Sequence, residues 1–130
     1  MTIDLWSLVW TGVLCLVIPL IYGVGRGQVP GGLQWALGNR DEPLVVPAWT
    51  ARACRAHANL VENLPPFAIL VLVAHVAGAS NYWTALGAQL FFWARVAHVV
   101  VYTFGLIGVR TAVFMVGTVG ELMILAQLFS

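Results

Sequence analysis

The stretch LWSLVWTGVLCLVIPLIYGVG, residues 5–25, contains no charged side chain and lies between Asp4 and Arg26. Because a helix rises about 1.5 Å per residue, about 20 apolar residues are enough to cross a hydrocarbon core of about 30 Å. The segment therefore predicts a membrane-spanning helix over about residues 4–25, with a bend at Pro19. It has an acid where a signal peptide has basic residues, and its apolar run is long, so we expect it to be retained.

The composition of the whole chain gives the same result. Hydrophobic residues make up 61% of the 130 residues and charged residues 8%, and there is no lysine. Average soluble domains have about 45–50% apolar and about 25% charged residues. This excludes a soluble globular or disordered protein, and a net charge of +1 excludes a nucleic-acid binder. The composition is typical of a small polytopic membrane protein.

Three further spans follow along the chain. Residues 63–94 lack Asp, Glu, Lys and Arg, and they are divided by the turn-forming segment GASNYW at 78–83. We predict spans at about 48–78, 82–104 and 109–129, in addition to 4–25. The fold class is an all-α integral membrane protein, a four-transmembrane-helix bundle in one domain, 1–130. The loop 26–47 is rich in Gly and Pro, and we expect it to fold against the mouth of the bundle.

The arginines predict the orientation. Those beside the first and third loops are Arg26, Arg40, Arg52, Arg55 and Arg110, whereas the segment 78–82 and both ends of the chain have none. By the positive-inside rule, the loop 26–47 is cytoplasmic and both termini lie outside.

Polar side chains on different predicted helices reach the same depth near the inner leaflet. Steps of three and four residues place each set on one helical stripe, and the fourth helix opens at the same end. The eight residues are Arg52, Arg55, Asn59, Glu62, Arg95, His98, Tyr102 and Arg110. Because such residues face a bundle interior or a wet cavity, the cluster predicts a basic site for a small anionic, peptide-like ligand.

Each residue type suggests a role. Arginines pair with carboxylates, Glu62 suits an ammonium group, Asn59 suits an amide, and Tyr102 with Arg110 suits a thiolate. Structural alternatives stay open. The arginines Arg52 and Arg55 reach lipid phosphates in one alternative, Glu62 pairs with an arginine in another, and His98 and Tyr102 are interhelical hydrogen-bonding groups in a third.

Other polar residues lie outside this cluster. We expect Glu121 to form a structural ion pair with Arg95, within the chain or across a subunit boundary, with proton-coupled transport as the alternative. His57 points away from Arg55 on its helix. Cys15 is expected to be a small buried apolar residue, and neither cysteine nor histidine spacing predicts a metal site.

The stretches RACRAHANLVENLPPF at 52–67, RVAHVVVY at 95–102 and LGNRDEP at 37–43 resemble the MAPEG superfamily, the membrane-associated proteins in eicosanoid and glutathione metabolism. The resemblance covers nearly the whole chain and is to bacterial-type members. It implies a homotrimer in the bacterial inner membrane, with glutathione as co-substrate bound between protomers at the cytoplasmic mouth.

The resemblance also assigns roles to individual positions. Arg55, Asn59 and Glu62 match the glutathione-binding stripe, and His98 and Tyr102 match positions that line the same pocket. Arg110 falls near the arginine that stabilises the thiolate, and Thr111 stands where the prostaglandin-synthase branch has a serine proposed to take part in the chemistry. The implied catalytic set is thus Arg110, Thr111 and Tyr102.

Three positions depart from the prostaglandin-synthase branch. Ala58 and Pro30 stand where that branch has arginines, and Phe114 stands where it has a tyrosine. These changes remove two cations and a hydroxyl group, so prostaglandin chemistry is not predicted.

The predicted function is a glutathione-dependent transferase or peroxidase acting on a lipophilic electrophile. The alternatives are a non-catalytic lipid-binding or scaffold protein, a type that also occurs in the superfamily, and a small four-span proton-coupled transporter. The expected partners are other copies of the chain, membrane lipids and a lipophilic small molecule.

Overall fold

A computed structural model describes residues 1–130 and contains helices but no strands. The helices are α1 (Ile3–Gly27), α2 (Gly32–Leu37), α3 (Ala48–Val76), α4 (Tyr82–Phe104) and α5 (Val109–Gln127). All except α2 are long and apolar enough to cross a membrane. The all-α class and the four candidate spans predicted from the sequence are confirmed, and the short helix α2 within the loop 26–47 is an addition to that prediction.

The helix ends follow from local sequence. At the start of α4, the Asn81 side chain accepts hydrogen bonds from the backbone N–H groups of Trp83 and Thr84, and the Thr84 hydroxyl receives one from the Asn81 N–H. This capping box satisfies donors that the first turn leaves free. The helix stops at Gly105, whose φ of 75° is easily adopted only by glycine. The turn then redirects the chain into α5.

Small residues allow α4 and α5 to pack closely. A side chain at Gly87 would collide with the Gly120 carbonyl, and one at Gly120 would collide with the Gly87 carbonyl. Close approach at small residues is a common way for membrane helices to associate without a hydrophobic driving force. Beside this contact the stacked rings of Phe67 and Phe91, with centroids 3.9 Å apart, join α3 to α4.

Contacts of polar and aromatic side chains connect neighbouring segments at both ends of the bundle. At one end Asp4 is only 1% exposed and accepts a hydrogen bond of 2.9 Å from the Ser80 hydroxyl, which ties α1 to the turn before α4. At the other end the Trp35 ring packs against the guanidinium groups of Arg26 and Arg40. The loop 26–47 therefore folds back on the end of α1.

Candidate functional site

A polar pocket lies where α3 begins, α4 ends and α5 begins. It consists of two cavities of about 370 and 290 Å³ that share Tyr102 and Arg110. Three arginines and no carboxylate line the two cavities, so they favour an anionic ligand. We call this the basic pocket, and its lining residues are Arg52, Arg55, Asn59, His98, Tyr102, Gly105, Leu106, Ile107, Arg110, Thr111 and Phe114.

Tyr102 is at the centre of the basic pocket. The Arg110 guanidinium carbon lies 4.6 Å from the centre of its ring, and that of Arg55 lies 5.9 Å away. Such contacts hold a cation over the ring face without using its hydrogen-bond donors. Both guanidinium groups therefore keep donors for an anion beside the phenol.

Arg52 lines an apolar cleft as well as the basic pocket. Its Nε donates to the Thr103 carbonyl at 2.9 Å, which joins the start of α3 to the end of α4. Arg52 also lines an apolar cleft of about 380 Å³ that includes Ile18, Val99 and Phe104. Arg52 thus borders both the basic pocket and a cleft suited to an apolar group.

The side chain of Asn59 has a defined orientation. Arg95 Nη1 donates to Asn59 Oδ1 at 2.9 Å, and because arginine has only donors, the amide oxygen must face it. The NH₂ group of Asn59 remains for the cavity that this residue lines with His98. At this point the pocket offers donors to a ligand acceptor.

Arg95 lies behind the pocket and not in its lining. It is 1% exposed, and its guanidinium carbon lies 4.9 Å from the centre of the Phe91 ring and 4.8 Å from that of Phe114. Its Nε and Nη2 atoms and Glu121 Oε1 are buried without hydrogen-bond partners. The ion pair expected within the chain between Arg95 and Glu121 is therefore not formed as a hydrogen-bonded contact: Arg95 Nη1 donates to Asn59, and the other two nitrogens of the guanidinium group have no partner.

The structure brings most of the predicted site residues together. Arg52, Arg55, Asn59, His98, Tyr102, Arg110 and Thr111 all line the basic pocket. Glu62 does not: it is exposed on α3 and lines neither cavity. Arg95 joins the site only through Asn59.

Sequence reasoning missed the apolar part of the lining. Leu106 and Ile107 follow Gly105 in the turn between α4 and α5, and they line one cavity. Glycines at 105 and 108 are typical of a turn. The side chains in this turn are apolar, so their residue types did not indicate that they belong to a site.

His57 points toward α1, away from the basic pocket, as its position on the helix predicts. Its Nε2 lies 3.6 Å from Cys15 Sγ, and its Nδ1 lies 3.1 Å from Tyr22 Oη. Cys15 is half-buried and contacts a histidine. The prediction that Cys15 is a buried apolar residue is therefore wrong.

The fold and the pocket define a class: an integral membrane protein of four apolar helices, with a basic pocket at one end of the bundle. The sequence model of the MAPEG family matches residues 5–130, and the chain belongs to this family. Among curated proteins nothing matches the chain, and the same holds for solved structures.

Proposed function

We propose that the protein is a glutathione-dependent transferase or peroxidase that acts on a lipophilic electrophile. The observation that carries the proposal is the basic pocket, in which Arg52, Arg55 and Arg110 line one cavity with Tyr102 and without an acidic residue. Glutathione has two carboxylates and a thiol that must become a thiolate, so it is an anionic ligand for which this charge is suitable.

Different residues of the pocket bind different groups of glutathione. Arg52 and Arg55 bind carboxylates, and the NH₂ group of Asn59 donates to a carbonyl or carboxylate oxygen. Arg110, with the hydroxyl groups of Tyr102 and Thr111, stabilises the thiolate. His98 is buried beside Tyr102, with ring centroids 5.6 Å apart, and it supports the orientation of that phenol.

The thiolate attacks an electrophile that enters from the bilayer. The apolar cleft shares Arg52 with the basic pocket, which provides an apolar space beside a charged one. When the protein holds glutathione and the electrophile side by side, their bimolecular reaction becomes effectively unimolecular. Proximity of this kind contributes a large part of the rate enhancement of an enzyme. The protein supplies no covalent intermediate in this scheme.

The assembly is part of the proposal. Glu62 and Arg55 are exposed on α3, so a neighbouring protomer can reach them. We propose a homotrimer in a bacterial inner membrane, with the loop 26–47 cytoplasmic, in which Glu62 binds the glutathione ammonium group at the boundary between protomers.

Conjugation of glutathione to 1-chloro-2,4-dinitrobenzene tests the activity. The purified protein in detergent should release chloride and form the thioether faster than the uncatalysed reaction, and Arg55→Ala should lower the rate at subsaturating glutathione at least tenfold. Arg40→Ala is the matched control, because Arg40 is exposed in the loop and lies outside the pocket. Equal rates with and without protein, for this probe and for a lipid hydroperoxide, would exclude the proposed activity.

The second candidate is a lipid-binding scaffold. The apolar cleft of about 380 Å³ favours it, because its lining is mostly apolar and it has the Arg52 guanidinium at one side. A scaffold would retain lipid during purification and would show neither of the two activities above.

A further inference from the structure

A second cluster of chemically active side chains lies between α1 and α3. Cys15 Sγ lies 3.6 Å from His57 Nε2, and Tyr22 Oη lies 3.1 Å from His57 Nδ1. All three side chains are half-buried, and none of them lines the basic pocket. The function proposed above makes no use of them.

The cluster has the three parts of an activated nucleophile: a thiol, a base within reach of it, and a third group that orients the base. When the thiol donates to His57 Nε2, the ring proton is on Nδ1 and is donated to Tyr22 Oη. The Arg26 guanidinium carbon lies 4.6 Å from the centre of the Tyr22 ring and holds the phenol from the other side. In the tautomer with its proton on Nδ1, Nε2 accepts the thiol proton, whereas in the other one the Tyr22 hydroxyl donates to Nδ1 and Nε2–H donates to the sulfur; a nucleophilic Cys15 requires the first.

The surroundings define what can reach this thiol. On α1 the next residue, Leu16, is 75% exposed, and a side chain at Gly12, one turn away, would meet no atom within 4 Å. Within this inference, this face of α1 lies against lipid tails and not against a neighbouring protomer. A reactant must therefore be uncharged and lipophilic, and it must arrive laterally through the bilayer.

The other cysteine, Cys54, differs in the group that contacts its sulfur. Cys54 Sγ accepts a hydrogen bond of 3.3 Å from Arg26 Nη2, so its partner is a donor that cannot remove a proton. Cys54 is closer to the start of α3 and to the charged loop. It is thus an internal comparison for Cys15 in the same protein.

We propose that Cys15 is a nucleophilic site for lipophilic α,β-unsaturated carbonyl compounds, with His57 as general base and Tyr22 as the residue that positions it. The sulfur forms a bond to the β-carbon as the thiol proton passes to His57 Nε2. That proton then reaches the α-carbon, so nothing leaves and nothing is oxidised. The product is a stable thioether on the protein, and glutathione takes no part.

Alkylation of Cys54→Ser protein by N-dodecylmaleimide tests the proposal, in detergent without glutathione and with detection by intact mass. We expect one adduct on Cys15, a rate at least tenfold lower in Cys54→Ser/His57→Gln, and a smaller decrease in Cys54→Ser/Tyr22→Phe. In lipid vesicles, a sulfonated maleimide should leave Cys15 unmodified because it does not enter the bilayer.

If the contacts among Cys15, His57 and Tyr22 are only structural, the alkylation experiment gives different results. If His57 and Tyr22 only join α1 to α3, the variants lower the unfolding temperature and leave the alkylation rate of the folded protein unchanged or raise it. Equal rates in the His57→Gln and parent proteins, or no Cys15 adduct in folded protein that reacts once denatured, would overturn the proposal.

Discussion

Arg110→Ala lowers the rate of glutathione conjugation at saturating glutathione by about a hundredfold, while glutathione affinity falls much less. The reason is that Arg110 lines both cavities of the basic pocket, with its guanidinium over the Tyr102 ring, and the proposed function assigns it the stabilisation of the thiolate. Removing one group that stabilises developing negative charge typically costs about 10²–10³ in kcat. Initial rates and the ultraviolet absorbance of bound thiolate measure the two parts of this prediction.

Arg110→Lys provides the matched comparison. It keeps the positive charge but loses the planar arrangement of donors, so we expect it to recover part of the rate and part of the thiolate signal. If Arg110→Ala forms as much thiolate as the wild type and turns over within about threefold of it, the role given to Arg110 is wrong.

Asn59→Asp separates binding from stability. The new carboxylate can accept the hydrogen bond from Arg95 Nη1 that Asn59 Oδ1 accepts at 2.9 Å, but it cannot donate to a ligand. A carboxylate next to a buried guanidinium with unpartnered atoms should keep the unfolding temperature or raise it. Glutathione affinity should fall at least tenfold, because two donors are lost and a negative charge faces an anionic ligand. Thermal unfolding and binding calorimetry together measure both effects.

Asn63→Asp is the control one turn along α3. Asn63 lies outside both cavities, and its Nδ2 donates to the Asn59 backbone carbonyl at 2.7 Å. This variant should lose some stability and keep its glutathione affinity. Wild-type affinity in Asn59→Asp would show that the Asn59 amide does not donate to the ligand.

The four spans could be predicted because apolar length alone decides whether a helix crosses a bilayer. The residues 5–25 and the turn at 78–83 were sufficient for this. The short helix α2 was not predictable in the same way. It holds six residues and packs through Trp35 between two arginines, a tertiary contact that leaves no periodic pattern.

Spacing along single helices predicted much of the basic pocket but not the partners between helices. Steps of three and four residues placed Arg55 with Asn59 and His98 with Tyr102, because neighbours on one helix face follow from helix geometry. The partner of Arg95 depends on how α4 rotates against α3 and α5, so depth alone suggested Glu121 where the structure shows Asn59. The contact between Cys15 and His57 was missed for the same reason.

Thermal unfolding of the purified protein with and without millimolar glutathione tests most directly whether the basic pocket binds this ligand. A ligand that binds only the folded state at about 100 times its Kd adds about 2.7 kcal/mol of stability. S-methylglutathione is included because it has no thiol and therefore cannot form a mixed disulfide with either free cysteine. We predict that both ligands raise the unfolding temperature of the wild type and of Arg40→Ala, and that neither does so in Arg55→Ala. No shift in the wild type, or an equal shift in Arg55→Ala, would contradict a glutathione site in the basic pocket.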